Sequence, residues 1–168
     1  PDNDFSDGIT VSVSGDLPDA NIADSICADS NGDCTLRAAI EEANDTFGAN
    51  TVEFNIPGSG VRTIQPTSAF PEITDQIIID GYSQPGSQPN TAVAPQPLNG
   101  TLLIELDGTL AGDGSSALRF GGNSSGSSNS EVKGLIINRF GGSGQGQAIA
   151  IGANNISVKG NYLGTDST

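Results

Sequence analysis

Five charged residues recur along the chain at a spacing close to 27 residues: Glu53, Asp80, Asp107, Lys133 and Lys159. The last four each precede a glycine (Gly81, Gly108, Gly134, Gly160) and follow an apolar residue (Ile79, Leu106, Val132, Val158). If the chain stacks at this period, the five form one column about 4.8 Å apart, the spacing of neighbouring strands. Asp80 and Asp107 would then stand side by side. Two carboxyl groups about 5 Å apart are what a retaining glycosidase uses, and such a pair also suits Ca²⁺. The plainer alternative is a solvated ladder, with Asp107 and Lys133 as an ion pair contributing about 0–1 kcal/mol. Tyr82, Tyr162 and Phe140 are the rings that would stack on sugars, but two Tyr and no Trp make a thin platform. The reading taken is therefore the ladder, with no catalytic residue assigned. An enzyme on acidic polysaccharide, built on Asp80 and Asp107, is the second reading.

Asp29-Ser-Asn31-Gly-Asp33 places oxygen ligands at alternate positions, like half of a calcium loop. The sixth position is Cys34 where such a loop needs Gly, and the twelfth is Ile40 where it needs Glu. A looser Ca²⁺ site on Asp29, Asn31 and Asp33 stays open beside a plain turn. Cys27 and Cys34 bracket this segment at a spacing that suits a disulfide-closed loop, with two free thiols as the alternative. A bridge implies an oxidising compartment and a secreted or cell-surface location. Arg37 is expected to serve structure, and Arg119 and Arg139 to point outward between apolar neighbours.

Composition excludes other chemistry. With 20 acidic residues, 6 basic ones and no His, the net charge is −14, which repels phosphate backbones and anionic membrane surfaces. No His means no Ser-His triad and no His-ligated zinc. No apolar run is long enough to span a membrane, and no signal-peptide core is present, so any export signal is expected to have been removed.

The elements that must position these residues are mostly short strands. The chain carries 23 Gly and 9 Pro in 168 residues, a turn-rich composition. Ile9, Val11 and Val13 alternate with polar residues as in a strand. Residues 34–47 form the one convincing helix, with Leu36, Ala39, Ile40, Ala43 and Phe47 as its apolar stripe and Glu41, Glu42 and Asp45 facing water. Asp33 or Thr35 would cap its start and Gly48 its end. A looser echo, offset by 31 residues, pairs Ala117-Leu-Arg-Phe120 with Ala148-Ile-Ala-Ile151. A period of this size describes stacked units that cannot bury their apolar faces alone. The expected fold is all-β: a right-handed parallel β-helix (solenoid) with one N-terminal capping helix, preferred over a β-sandwich. In it Val52, Ile79, Leu106, Val132 and Val158 share one dry file.

The segment Cys34-Thr-Leu-Arg-Ala-Ala-Ile40 followed by Glu-Glu-Ala-Asn resembles the N-terminal module of secreted bacterial proteins named for a Cys-Ser-Leu-Arg-Glu-Ala (CSLREA) motif. Asp80-Gly-Tyr-Ser-Gln-Pro-Gly86, Leu135-Ile-Ile-Asn-Arg-Phe140 and Gly160-Asn-Tyr-Leu-Gly-Thr-Asp166 resemble the same proteins. Thr35 for Ser and Ala38 for Glu depart from the motif. The resemblance implies a right-handed parallel β-helix and a secreted or surface protein, and it implies no defined reaction.

The chain is thus expected to be one unit over 1–168, with strand, disulfide loop and helix in 1–48, coils in 49–168 and a Pro-rich excursion at 83–97. The function expected is a non-catalytic structural or adhesive module at a cell surface or matrix. No cofactor is expected, Ca²⁺ being the one ion the acids would suit. The chain stops on Val158-Lys-Gly-Asn-Tyr-Leu without a capping helix, so its partners are expected to be another copy, stacking end to end into a fibre, or surface glycans. Neither nucleic acid nor membrane insertion is expected.

Overall fold

The computed structural model describes residues 8–22, 24–121 and 126–166. Asp2, Asp4 and Asp7 of the acidic N-terminal run lie outside them. Alternating residues make the first strand, β1 (Ile9–Val11), whose Ile9 and Val11 are buried while Thr10 is exposed. Helix α1 (Leu36–Asp45) follows, then β2 (Asn50–Phe54), β3 (Arg62–Ile64), β4 (Ile77–Asp80), β5 (Ile104–Asp107) and β6 (Leu118–Phe120). The chain ends through β7 (Glu131–Lys133), β8 (Leu135–Asn138), β9 (Ile149–Ile151), β10 (Ser157–Lys159) and β11 (Tyr162–Leu163).

These strands form three separate sheets in the orders β1-β2-β4-β7-β10, β11-β8-β5-β3 and β6-β9. Every strand pair is parallel. A parallel bridge from Ile73 to Phe120 prolongs the third sheet. Parallel neighbours require long crossovers, and the first one is helical: β1, α1 and β2 make a β-α-β unit.

This corrects the expected fold class. The all-β, right-handed parallel β-helix was to rest on one apolar file. The chain instead has three distinct parallel sheets and a crossover helix, an α/β combination. Ile9, Val52, Ile79, Val132 and Val158 do pair in one row of the first sheet. Leu106 does not belong to it. Leu106 pairs with Ile64 and Ile137 in the second sheet. The cause is the loop at 81–103, which makes the crossover from β4 to β7 about twice as long as those before and after it, so β5 falls in phase by length alone. The looser echo is observed as proposed: Leu118 pairs with Ile149, Arg119 with Ala150 and Phe120 with Ile151.

One core joins all three sheets to α1. It holds Val11, Leu36, Ile40, Phe54, Ile73, Leu106, Phe120 and Ile137, among others, each essentially without solvent contact. Thr35 is the N-cap of α1, its hydroxyl accepting from the Ala38 N–H at 3.0 Å. At the other end the Asn50 side chain donates to the Ala43, Thr46 and Gly48 carbonyls, which a helix terminus leaves without partners. Three expectations for this helix fail, the first being the cap at its end, which is Thr46 and not Gly48. Phe47 lies past its end and is 98% exposed, and Glu42 is wholly buried.

α1 also closes one border of the third sheet. Ile73 exchanges backbone hydrogen bonds with Arg119 and Gly121, so the Glu72 carbonyl and Thr74 N–H face the other way. The Asn44 side chain takes both, donating to Glu72 O at 2.8 Å and accepting from Thr74 N at 2.8 Å. Arg37 donates to the Ser68 and Ala69 carbonyls, holds the Asp16 carboxylate and lies 5.3 Å from the Phe70 ring centre. Its structural role is thereby seen.

Candidate functional site

The glycines of the repeat mark corners rather than one column. A Cβ on Gly81 would stand 2.3 Å from Gly134 O, and one on Gly134 2.9 Å from the Tyr82 ring. A Cβ on Gly160 would meet the Tyr82 hydroxyl at 2.3 Å. Gly134 and Gly160 leave room for Tyr82, whose hydroxyl donates to Gly160 O across two passes of chain, and Gly81 lets the next pass approach. Burial, with Tyr162 and Asp80 nearby, raises its hydroxyl above the ordinary tyrosine range. Gly108 belongs to a different corner, where a Cβ would strike Phe140 at 2.5 Å.

The charged column accordingly has four members. Glu53 is in register with Asp80, Asp80 with Lys133, and Lys133 with Lys159. Asp80 pairs with Lys133 at 3.1 Å and accepts from the Tyr82 N–H. Glu131 on the adjacent row holds Lys133 at 3.2 Å and Lys159 at 2.7 Å. Asp107 sits on the second sheet, so the expected Asp80–Asp107 carboxylate pair and the expected Asp107–Lys133 ion pair are both absent. The phrase Asp80-Gly-Tyr-Ser-Gln serves the backbone instead. Ser83 Oγ accepts from Phe54 N, and the Gln84 side chain accepts from and donates to Ile56 as a strand would.

A different acid pair is assembled on β5. Residues two apart on a strand share a face, and here that face carries Glu105 and Asp107, 6% and 7% exposed. The flanking strands place polar partners in register: Thr63 with Glu105, and Asn138 with Asp107. Glu105 accepts from Asn138 Nδ2 and Thr63 Oγ1, both at 2.8 Å. Asp107 accepts from the Thr109 N–H and hydroxyl on one oxygen, and from Gln65 and Arg139 on the other. Arg139 reaches on to Asp166 at 2.6 Å. Burial pushes the Asp107 carboxyl up, but the Thr109, Gln65 and Arg139 contacts outweigh it and hold it below the usual range.

That arrangement fixes an ionised Asp107 with every oxygen occupied. A general acid needs a proton to give and a raised pKa; Asp107 has the opposite. Arg139, expected to point outward between apolar neighbours, is the cation of this cluster. It adopts φ +56°, a backbone conformation uncommon outside Gly, which turns its side chain back over β5 and β8. The sequence signal for the cluster is parity: Glu105 and Asp107 alternate with Ile104 and Leu106, so they must share the face away from the core.

The third candidate, Asp29-Ser-Asn31-Gly-Asp33, closes on itself. Asp29 is 5% exposed, and one of its oxygens accepts from the Asn31 and Asp33 N–H groups. Cys27 and Cys34 form the disulfide that seals the loop. Among the described residues no three His, Cys, Asp or Glu side chains converge as metal ligands, and no helix is long and apolar enough to cross a membrane. No protein-family model, curated protein or solved structure matches the chain. Its reading rests on its own geometry.

Proposed function

We propose that the chain is an extracellular structural or adhesive module that associates through one border of its sheets. The observation that carries this reading is the shared border where all three sheets stop. β10, β11 and β9 are the last strands of their sheets. Residues that would be core one pass earlier lie open there: Ile151 is 54% exposed, Leu163 46% and Val158 37%. A shallow groove of about 230 Å³ runs along β9, lined by Arg119, Phe120, Gln147, Ala150, Ile151 and Gly152. Unpaired parallel edges with exposed apolar side chains are templates for further strands.

Two further observations support the reading. The Cys27–Cys34 disulfide fits an oxidising, extracellular setting. The charged side chains of β5 and β7 are spent on neighbouring side chains and on the backbone, which suits a load-carrying surface more than a reaction. The similarity of residues 34–44 to the N-terminal module of CSLREA-motif surface proteins agrees with this assignment.

Sedimentation velocity across a thousandfold range of concentration tests it. Association that grows with concentration, and that Val158→Lys removes without lowering thermal stability, is the expected result. A single monomeric species throughout would overturn the proposal.

A further inference from the structure

The chain has six basic side chains, and the structure fills the charged ends of five. Arg37 and Arg139 hold carboxylates, Lys133 and Lys159 share Glu131, and Arg62 turns back on the Ile56 and Pro57 carbonyls. Arg119 is the exception. Its Nε lies 3.3 Å from Glu72, but both side chains are exposed, and such a pair contributes about 0–1 kcal/mol. Its two terminal nitrogens have no partner among the described residues.

Arg119 borders two troughs. One is the groove along β9. The other, of about 220 Å³, is lined by residues 69–70 and 113–116 together with Arg119. Each polar side chain in it keeps a free hydrogen-bonding capacity. Ser116 Oγ accepts from the Gln147 N–H, which leaves its own proton to give. Ser115 Oγ donates to Ala111 O at 2.6 Å and still has lone pairs to offer. Asp113 accepts the Ser143 N–H on one oxygen and the Ser143 hydroxyl on the other, and each oxygen retains a lone pair. Phe70 adds buried apolar surface, held in place by Arg37, which donates to Ala69 O and lies 5.3 Å from the ring centre.

A free guanidinium fork matches a planar carboxylate, and the hydroxyls and Asp113 match alcohol groups. We propose that this trough binds a uronate unit of an acidic oligosaccharide, its carboxylate on the Arg119 terminal nitrogens and its hydroxyls on Asp113, Ser115 and Ser116. A densely charged anion is disfavoured, because a second charge would meet Asp113. The trough is smaller than the roughly 300–1,000 Å³ of a drug-sized site, so it holds one sugar unit, and the β9 groove beyond Arg119 gives the next unit room. The net charge of −14 does not prevent this, since salt at physiological strength screens charges beyond about 8 Å. The site supplies an adhesive module with a ligand, yet requires no contact between copies.

Titration calorimetry with tetramers of galacturonate, glucuronate, mannuronate and guluronate tests the site. At least one is expected to bind with a Kd below about 1 mM. Its methyl ester, which keeps every hydroxyl but not the charge, should bind about 10-fold more weakly or worse. Arg119→Gln should lose about the same factor, and Arg119→Lys, which keeps the charge but not the fork, most of it. Both variants alter an exposed side chain and should melt as wild type does. Lys159→Ala removes an equally exposed cation from another sheet and should leave binding unchanged. Val158→Lys should bind as well as wild type, so this site and the association of copies stand or fall separately. The proposal is overturned if no uronate binds, if the ester binds as tightly as the acid, if R119Q binds like wild type, or if Lys159→Ala or Val158→Lys weakens binding as much as R119Q does.

Discussion

At the residue scale the decisive groups are carboxylates whose oxygens are filled. Asp107 and Glu131 both sit below their ordinary range. For Asp107, burial opposes ionisation but Thr109, Gln65 and Arg139 win; for Glu131 the Lys159 contact leads, burial opposes it, and Lys133 adds to it. A carboxyl depressed on folding contributes stability that is complete above its unfolded value, about 4, and lost as pH falls through the folded value. Urea midpoints should therefore hold from pH 7 to about 5 and then drop. Asp107→Asn should flatten that acid limb and lower stability at pH 7 by about 1–3 kcal/mol, since Arg139 and Gln65 lose a charged partner. An unchanged limb in that variant would show that Asp107 is not ionised by its neighbours in the way described. The disulfide is a second residue-scale lever. For so small a loop, Cys27→Ser with Cys34→Ser is expected to cost about 2–3 kcal/mol, measured in denaturant against the oxidised wild type.

At the element scale, glycine positions separate close packing from simple turn geometry. Gly134 (φ +73°) and Gly48 (φ +112°) both need left-handed backbone, but only Gly134 has a neighbour where a Cβ would go, the Tyr82 N–H at 2.7 Å and its ring at 2.9 Å. Ala at Gly48 should cost about 1 kcal/mol, the strain of the conformation alone. Ala at Gly134 should cost about 2–4 kcal/mol, because the clash adds to the strain. Equal losses at the two sites, read from thermal melts, would remove Tyr82 as the reason for the corner. The elements themselves were legible because their signals are local. Period-2 alternation marked Ile9–Val11, the 26–27-residue spacing placed Ile79, Val132 and Val158 in one row, and helical spacing marked α1. Threading was not legible, because Leu106 matches Ile79 and Val132 in type and in distance along the chain. Only the length of the 81–103 loop decides that it joins another sheet. The helper side chains were equally hidden. Asn50, Gln84 and Asn161 complete backbone pairing across 4 to 29 residues, and nothing in a single Asn or Gln shows that it will stand in for a peptide group. Glu42 shows the same limit, since helical periodicity assigns it to solvent and the folded chain buries it.

At the scale of the whole molecule the two ends of the sheets are unlike, and that governs how copies would meet. One end is closed. Asn44 bonds the Glu72 carbonyl and the Thr74 N–H, Arg37 bonds the Ser68 and Ala69 carbonyls, and α1 packs on β1 and β2. The other end exposes β9, β10 and β11. A fibre needs a heterologous contact between unlike ends that never closes, whereas contact of one surface with itself is isologous and closes at two. Among the described strand residues, the exposed large apolar ones, Ile151, Val158 and Leu163, all lie at the open end. Association should therefore stop at a dimer, with the edge strands of the two copies running antiparallel about a two-fold axis. Light scattering should show a mass that levels at twice 17.0 kDa as concentration rises. Loosening the lid should change the outcome. Arg37→Ala with Asn44→Ala removes the side-chain bonds to four backbone groups at the closed end and should shift the plateau from dimers toward open chains. Mass that grows without limit in the wild type would show that α1 does not protect its end.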